Sequence, residues 1–486
     1  MEKMVGKRRK IGESSDCNQK SIISESNITM DIMNNDFFSH LPDSVVTHIF
    51  YFLPMQEAIG TCMLSKNLSR LRTSIPNLVF NDFVGLRSSD KVKDMIERVD
   101  KFLEPRDGPM RSCRFVLSTQ CYMTHLSRWI TILIERGIEE LDLALVRDTQ
   151  TPFELPSCVF SSKTLRVLKL MSCILRPPPN FTGLCALETL ALRSMSISED
   201  ILCQFLSRCS FLRRLTIQNC TGLKKVKLLA CNSTLEYLTL ETCSSDSHIE
   251  VYAPSVKTLY LGGEKSRFSV KEASDVVNVE ISRTNQSHID LNEANSLKDN
   301  ILLKLLDIQS LSLTGWAFKC FAASHHSEEL PSRFTKMMKL ELEVSSWNVK
   351  ELNAMVCLFH SCPNVEKLII WINEEVAEVD NRRGFGYNDD HEVDSFWEEL
   401  DDNWFLFYGC TRHSVTCMDI NNFSGLDTEV RLVKFLVANA RVLDSLTITP
   451  VKDMDPNQQL GFANLFKRLP RPCIDTKIVV NQVKSE

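Results

Sequence analysis

No stretch of the 486-residue chain approaches the roughly 20 apolar residues that a membrane-crossing helix needs. The polar, basic N-terminus has no signal-peptide hydrophobic core. Both absences predict a chain that is neither secreted nor membrane-spanning. Among its 18 cysteines no pair is spaced Cys-x-x-Cys, which leaves no RING-type zinc site and no paired redox motif. Buried, inert thiols are the expectation, not a disulfide framework. A Gly-rich phosphate loop, HExxH and GxSxG are also missing, so no recognised constellation for phosphoryl transfer, zinc hydrolysis or acyl transfer is present. The reading is therefore a non-catalytic chain with no cofactor and no metal. Charge is nearly balanced, 56 Lys+Arg against 62 Asp+Glu, so no basic field points to nucleic acid. An apolar content of 43% is that of a folded chain.

Residues 1–35 are Ser/Asn-rich and read as a disordered tail. Lys7-Arg8-Arg9-Lys10 is either a nuclear-import address or a solvated basic run, which leaves residence open between nucleus and cytoplasm. Residues 36–82 differ. Pro42-Asp43 opens a helical pattern in which Val45, Val46, Ile49, Phe50 and Leu53 form one apolar stripe, and Pro54 ends it. A second short segment holds Ala58, Ile59, Cys62 and Met63, and Ser65 is placed to N-cap a third. Three helices in about 45 residues bury their faces poorly alone, so the module needs a partner or an abutting domain.

From about residue 110 the period changes to apolar-x-x-apolar-x-apolar. The copies start at Ile138, Leu165, Leu187, Leu212, Leu235, Val256, Val276, Ile308, Met337, Val365, Val415 and Leu443, with a weaker one at Met110. Most spacings fall between 20 and 32 residues, the signature of leucine-rich repeats. Each copy predicts a short strand whose inward residues only a neighbouring strand can cover, so stacking gives a curved solenoid with a continuous parallel sheet. The predicted fold class is α/β: an N-terminal three-helix module, then the repeats over 83–372 and 409–480. Cys173, Cys220 and Cys243 fall where such repeats prefer Asn or Cys. Cys357, His360 and Cys362 have ligand-like spacing, but they lead into a repeat strand, where packing is the expected role. Residues 373–408 interrupt the repeats. Between Glu374 and Asp402 twelve acids face two arginines, an acidic excursion expected to dock partly through Trp397 or Trp404.

Several segments resemble one family. His40-Leu-Pro-Asp-Ser-Val-Val-Thr-His-Ile-Phe-Tyr-Phe-Leu-Pro54, with Glu57-Ala58 and Leu64-Ser-Lys66, resembles an F-box, and Thr73-Ser-Ile-Pro-Asn-Leu78 resembles the tail of that motif. Arg128-Trp-Ile130 and Arg136-Gly-Ile-Glu-Glu-Leu-Asp-Leu143 are similar to the first leucine-rich segment of plant F-box/FBD/LRR-repeat proteins. Asp419-Ile-Asn-Asn-Phe-Ser-Gly425, Glu429-Val-Arg-Leu-Val-Lys-Phe-Leu436 and Asn439-Ala-Arg-Val-Leu-Asp-Ser-Leu-Thr-Ile448 resemble the FBD segment that closes that family. One departure stands out: Leu68 and Arg72 occupy positions where the family commonly carries tryptophan.

The resemblance implies the substrate-recognition subunit of an SCF-type ubiquitin ligase. The F-box would dock an Skp-type adaptor, and through it a cullin and a RING subunit, while the repeats hold a target protein. The residues expected to touch the adaptor are Leu41, Pro42, Val45, Ile49, Leu53, Leu64 and Ser65. Target contacts are expected on the concave sheet face, at Lys169, Arg193, Arg214, Tyr237, Tyr260 and Trp371, with acids Glu241, Glu280 and Glu341 further along. A phosphate-bearing or acidic target at Lys169, Arg193 and Arg214 is one reading of those bases. An interaction scaffold with a weakened F-box, and a receptor for a small ligand, are the alternatives.

Overall fold

The computed structural model describes residues 41–81, 89–103, 110–117, 122–146, 153–227, 234–241, 248–263, 267–283, 291–324, 330–345, 347–373, 395–397, 410–470 and 475–481. The basic tail, Cys243, Trp404 and most of the acidic excursion lie outside them. The chain divides into two compact units, with the break at Asn77/Leu78.

The first unit carries α1 (Asp43–Phe52), α2 (Met55–Cys62), the single-turn α3 (Lys66–Ser69) and a 3-10 turn, Arg70–Ser74. Pro42 and Pro54 sit at the N-caps of α1 and α2 with φ near −57°, the angle a proline ring already imposes. Ser65 caps α3: its Oγ accepts the Leu68 N–H at 3.2 Å. The core is Val46, Phe50, Ala58, Cys62, Leu68, Leu71 and Ile75.

The second unit is built on one 15-stranded sheet whose spatial order follows the chain. Its strands are β1 (Asn77–Asn81), β2 (Ser112–Leu117), β3 (Glu140–Leu145), β4 (Val167–Met171), β5 (Thr189–Arg193), β6 (Arg214–Gln218), β7 (Tyr237–Glu241) and β8 (Thr258–Gly262). There follow β9 (Asn278–Arg283), β10 (Ser310–Gly315), β11 (Lys339–Val344), β12 (Lys367–Ile372), β13 (Cys417–Phe423), β14 (Ser445–Pro450) and β15 (Lys477–Val480). From β2 onward every pairing is parallel, and the register is continuous except for one shift in the β13–β14 pair between Asn421 and Phe423. All thirteen sequence copies, the weak one included, fall on strands β2–β14, and all their apolar positions are buried. The first inward residues make one row from Cys113 through Leu141, Leu168 and Leu190 to Leu446 and Ile478. No strand covers this row alone; each relies on its neighbours, which is why the copies come in series.

Two strands of this sheet are not among the repeat copies read from the sequence. Ile75, Leu78 and Phe80 carry the same spacing, but the resemblance assigned them to the F-box tail; Leu78 and Phe80 instead place β1 beside β2. Strand β15 lacks the apolar residue three positions ahead of Ile478, where Asp475 stands. At the first edge, Phe80 stacks on Phe115 (5.4 Å between centroids) and Phe115 on Trp129 (5.6 Å), an aromatic plug that closes the end of the repeat core.

Helices α4 (Ser89–Leu103), α5 (Met123–Glu135), α6 (Glu199–Arg208), α7 (Leu291–Asn300), α8 (Ala317–Ser324), α9 (Val349–Ser361), α10 (Cys410–His413), α11 (Asp427–Asn439) and α12 (Pro456–Lys467) connect these strands. Parallel pairing requires such crossovers, and they bury Phe205, Phe318, Phe321, Phe359 and Phe466 against the inward row. In three early repeats a residue in the left-handed region ends the strand: Ser172 (φ 59°), Ser194 (φ 50°) and Asn219 (φ 52°). Just after Ser172 and Asn219, the thiols of Cys173 and Cys220 are buried and donate to backbone carbonyls at 3.4 Å, so repeat geometry accounts for them.

Candidate functional site

In the first unit α1 has two apolar stripes rather than one. At about 100° per residue, Val46 and Phe50 turn inward while Val45, Ile49 and Phe52, spaced i, i+4, i+7, line the next flank. Phe52 is 70% exposed, Leu64 71% and Met63 82%, large apolar groups that an isolated small domain does not leave in water. Pro42 and Val45 are exposed as well; Leu41, Ile49, Leu53 and Ser65 are half-buried. Ser65 spends its hydroxyl on the α3 cap, and Leu53 terminates α1 as its C-cap. Phe52 and Met63 are additions to the sequence reading. Their spacing from Val45 and their adjacency to Leu64 were the available signal. Leu68, at one of the atypical positions, is 2% exposed and belongs to the core, whereas Arg72 is exposed.

In the second unit, the residues that alternate with the inward row form the open face of the sheet. Lys169, Arg193, Arg214, Tyr237, Tyr260 and Trp371 all lie on it, but from β4 to β12, which at about 4.8 Å per strand spreads them over roughly 40 Å. The three bases do not share a rung. Lys169 is level with Asp142 and Ala191, Arg193 with Met171 and Gln218, and Arg214 with Thr189 and Tyr237. The Arg214 guanidinium lies 3.8 Å from the centre of the Tyr237 ring, a cation–π contact that occupies both. Tyr260 folds over Gly262, where a Cβ would come within 2.7 Å of its ring. Partial desolvation pushes the Tyr260 hydroxyl up, the bond to Ser282 pulls it down, and Glu241 and Glu280 raise it further.

Acids gather further along. Glu280, Ser312 and Glu341 are level on β9, β10 and β11. Glu341 is held by Lys339 (2.8 Å) and by the Trp371 indole N–H (2.8 Å), and Asp419 by Lys367 (3.0 Å). The Glu343 carboxylate accepts from the Gly315 N–H at 2.5 Å and from Asn373 at 3.1 Å. Glu280 has no hydrogen-bond or ion-pair partner among the described residues. Desolvation first, then the Glu341 carboxylate, raise its carboxyl above the usual range, opposed by Lys339.

Among the described residues no group of three His, Cys, Asp or Glu side chains could hold a metal ion. Cys357 and Cys362 are fully buried, and burial pushes the Cys362 thiol well up. No helix among them is long and apolar enough to cross a membrane.

A helical module with a bare apolar flank and a repeat sheet with one open face define a leucine-rich-repeat protein of the F-box class. Residues 109–461 match the At1g61320/AtMIF1 LRR-domain family. The chain is 24% identical over 448 residues to the F-box/FBD/LRR-repeat protein At1g13570 of Arabidopsis thaliana, covering 90% of this chain and 96% of that one. It is 27% identical over 362 residues to the FBD-associated F-box protein At5g56380 of the same plant, covering 69% and 78%. With F-box/FBD/LRR-repeat protein At5g44980 it shares 24% over 362 residues, covering 71% and 81%. The chain belongs to the plant F-box/FBD/LRR-repeat family.

Proposed function

We propose that this chain is the substrate-recognition subunit of an SCF-type E3 ubiquitin ligase, its F-box docking an Skp-type adaptor and its repeat sheet binding the protein to be modified. The observation that carries this is the bare flank of the F-box helices: Val45, Phe52, Met63 and Leu64 are exposed while the same helices keep a separate, complete core. Burying such a flank on another polypeptide recovers about 25 cal/mol per Å² of apolar surface. Leu41, Pro42, Ile49, Leu53 and Ser65 frame the contact. The open face of the sheet, spread over many strands, suits a macromolecular target better than a small ligand, since no small molecule spans it.

The chain does no chemistry itself on this reading. Its contribution is proximity: a tethered target meets the transferring subunits at an effective concentration near mM when linker and span match. Residence is in the nucleus, the cytoplasm or both. The test is co-purification. The full chain should bring down an Skp-type adaptor and a cullin from plant cells, and Pro42→Asp with Ile49→Asp should abolish both without unfolding the repeats. An unchanged chain that recruits neither would favour a scaffold that has left the ligase.

A further inference from the structure

The open sheet face is electrically divided. On β2–β6 it presents Arg114, Lys169, Arg193 and Arg214 against Glu140 and Asp142; on β7–β13 it presents Glu241, Glu280, Glu341, Glu343 and Asp419 against Lys339 and Lys367. In the acidic half Glu341 and Asp419 each pair with a lysine and Glu343 accepts from a backbone amide and an asparagine, while Glu280 has no hydrogen-bond or ion-pair partner among the described residues and feels Lys339 only through space. Beside it lies a groove of about 560 Å³ lined by Ser310, Ser312, Glu280 and Glu341, with Lys339 in its wall already paired to Glu341 and not to Glu280. Those two carboxylates stand on strands that flank Ser312, so they face each other across a gap two strand spacings wide, about 9–10 Å between backbones. A small residue at the centre leaves room for one long side chain. The Trp371 ring, 37% exposed and bonded to Glu341 through its N–H, lines the adjoining hollow with Glu343, an aromatic surface next to the groove of the kind that favours a cation.

Resting on the target-receptor reading above, we propose that this half of the sheet receives a lysine- or arginine-bearing segment of the target, with one cationic side chain entering over Ser312 between Glu280 and Glu341. The charge missing from the face is thus supplied by the partner. An anionic or phosphorylated segment is disfavoured here, because it would set like charge against Glu280 and Glu343. Nor do the early bases offer an equivalent cleft, since they lie on three different rungs and Arg214 is already stacked on Tyr237.

The test uses the full chain with its adaptor and two fluorescein-labelled twelve-residue peptides on the same Gly-Ser background, one carrying three arginines and one three phosphoserines. Anisotropy titrations at fixed ionic strength should detect the arginine peptide, and Glu280→Gln should weaken it roughly tenfold. Glu236→Gln, a carboxylate outside the groove, should leave it unchanged, which separates docking from general attraction to an acidic protein. Ser312→Arg supplies the cation from within and should block the peptide while the chain stays folded. Equal binding by the wild type, Glu280→Gln and Ser312→Arg would overturn the proposal, as would failure of the arginine peptide to bind, or binding of the phosphoserine peptide alone. Adaptor co-purification with the same variants reports separately on the ligase reading: its loss with peptide binding intact defeats that reading and spares the groove.

Discussion

Single residues explain much of what the family-like C-terminal segment encodes. Asn422 adopts φ 60° and shifts the β13 register, which turns Phe423 onto Phe462 and Phe466. The buried Glu429 carboxylate then accepts from the Ser424 hydroxyl (2.7 Å) and from the Ser424 and Gly425 N–H groups (2.8 Å each). Glu351 repeats the arrangement on Ser345 two repeats earlier, with 3.1 and 3.2 Å bonds. Burial raises the Glu429 carboxyl, against the pull of these bonds. Because its folded pKa lies above the unfolded value of about 4.3, the proton it holds favours the folded state below that value, and this gain is lost as pH rises through the folded pKa. Glu429→Ala leaves two amides bare and should cost about 3 kcal/mol near pH 4.5 by urea unfolding, the difference shrinking as pH rises toward 7. Ser194, at φ 50°, is the opposite case: Ser194→Gly should raise stability by about 1 kcal/mol in the same assay.

At the scale of elements, the repeat period was plain in the sequence because a strand that must be covered by its neighbours repeats its apolar pair at fixed spacing. The same local pattern hid β1, since Ile75, Leu78 and Phe80 fitted two assignments at once. The two flanks of α1 were merged into one stripe for a related reason: Val45 and Val46, or Ile49 and Phe50, are equally apolar, and only packing decides which of each pair turns inward. Open-face residues could be named from alternation, but their grouping could not. Rungs depend on strand register across crossovers of varied length, so Lys169, Arg193 and Arg214 looked closer in sequence than they are.

A feature of the elements that alternation alone did not reveal is a charge ladder. The residue just ahead of each of seven successive strands, β2–β8, reads Arg111, Glu139, Arg166, Glu188, Arg213, Glu236, Lys257, and each is joined to the next by a backbone bond. Arg166 and Glu188 meet at 2.6 Å, Glu236 and Lys257 at 3.6 Å, Arg111 and Glu139 at 3.9 Å. Exposed pairs contribute little individually, but skipping a repeat would oppose like charges, so the ladder marks the order of stacking. Glu188→Arg sets like charge against both Arg166 and Arg213 and should lower the urea midpoint in low salt but not in 1 M salt.

For the molecule as a whole, the proposed function divides the work by chemistry: the apolar flank on three helices would take the adaptor, and the polar, bipolar sheet face the target. Target choice should therefore respond to salt and adaptor binding should not. Of the two departures from tryptophan, Leu68 is interior and falls within the core of the helical module, whereas Arg72 places a charge on its surface.

The adaptor flank is the central claim, and a calorimetric titration of a purified plant Skp-type adaptor into the full chain tests it most directly. The account predicts saturable 1:1 binding that falls at least a hundredfold in Phe52→Asp with Leu64→Asp, while circular dichroism and the unfolding midpoint of the repeats stay unchanged. Binding of equal strength by that double variant, or none by the wild-type chain, would contradict it.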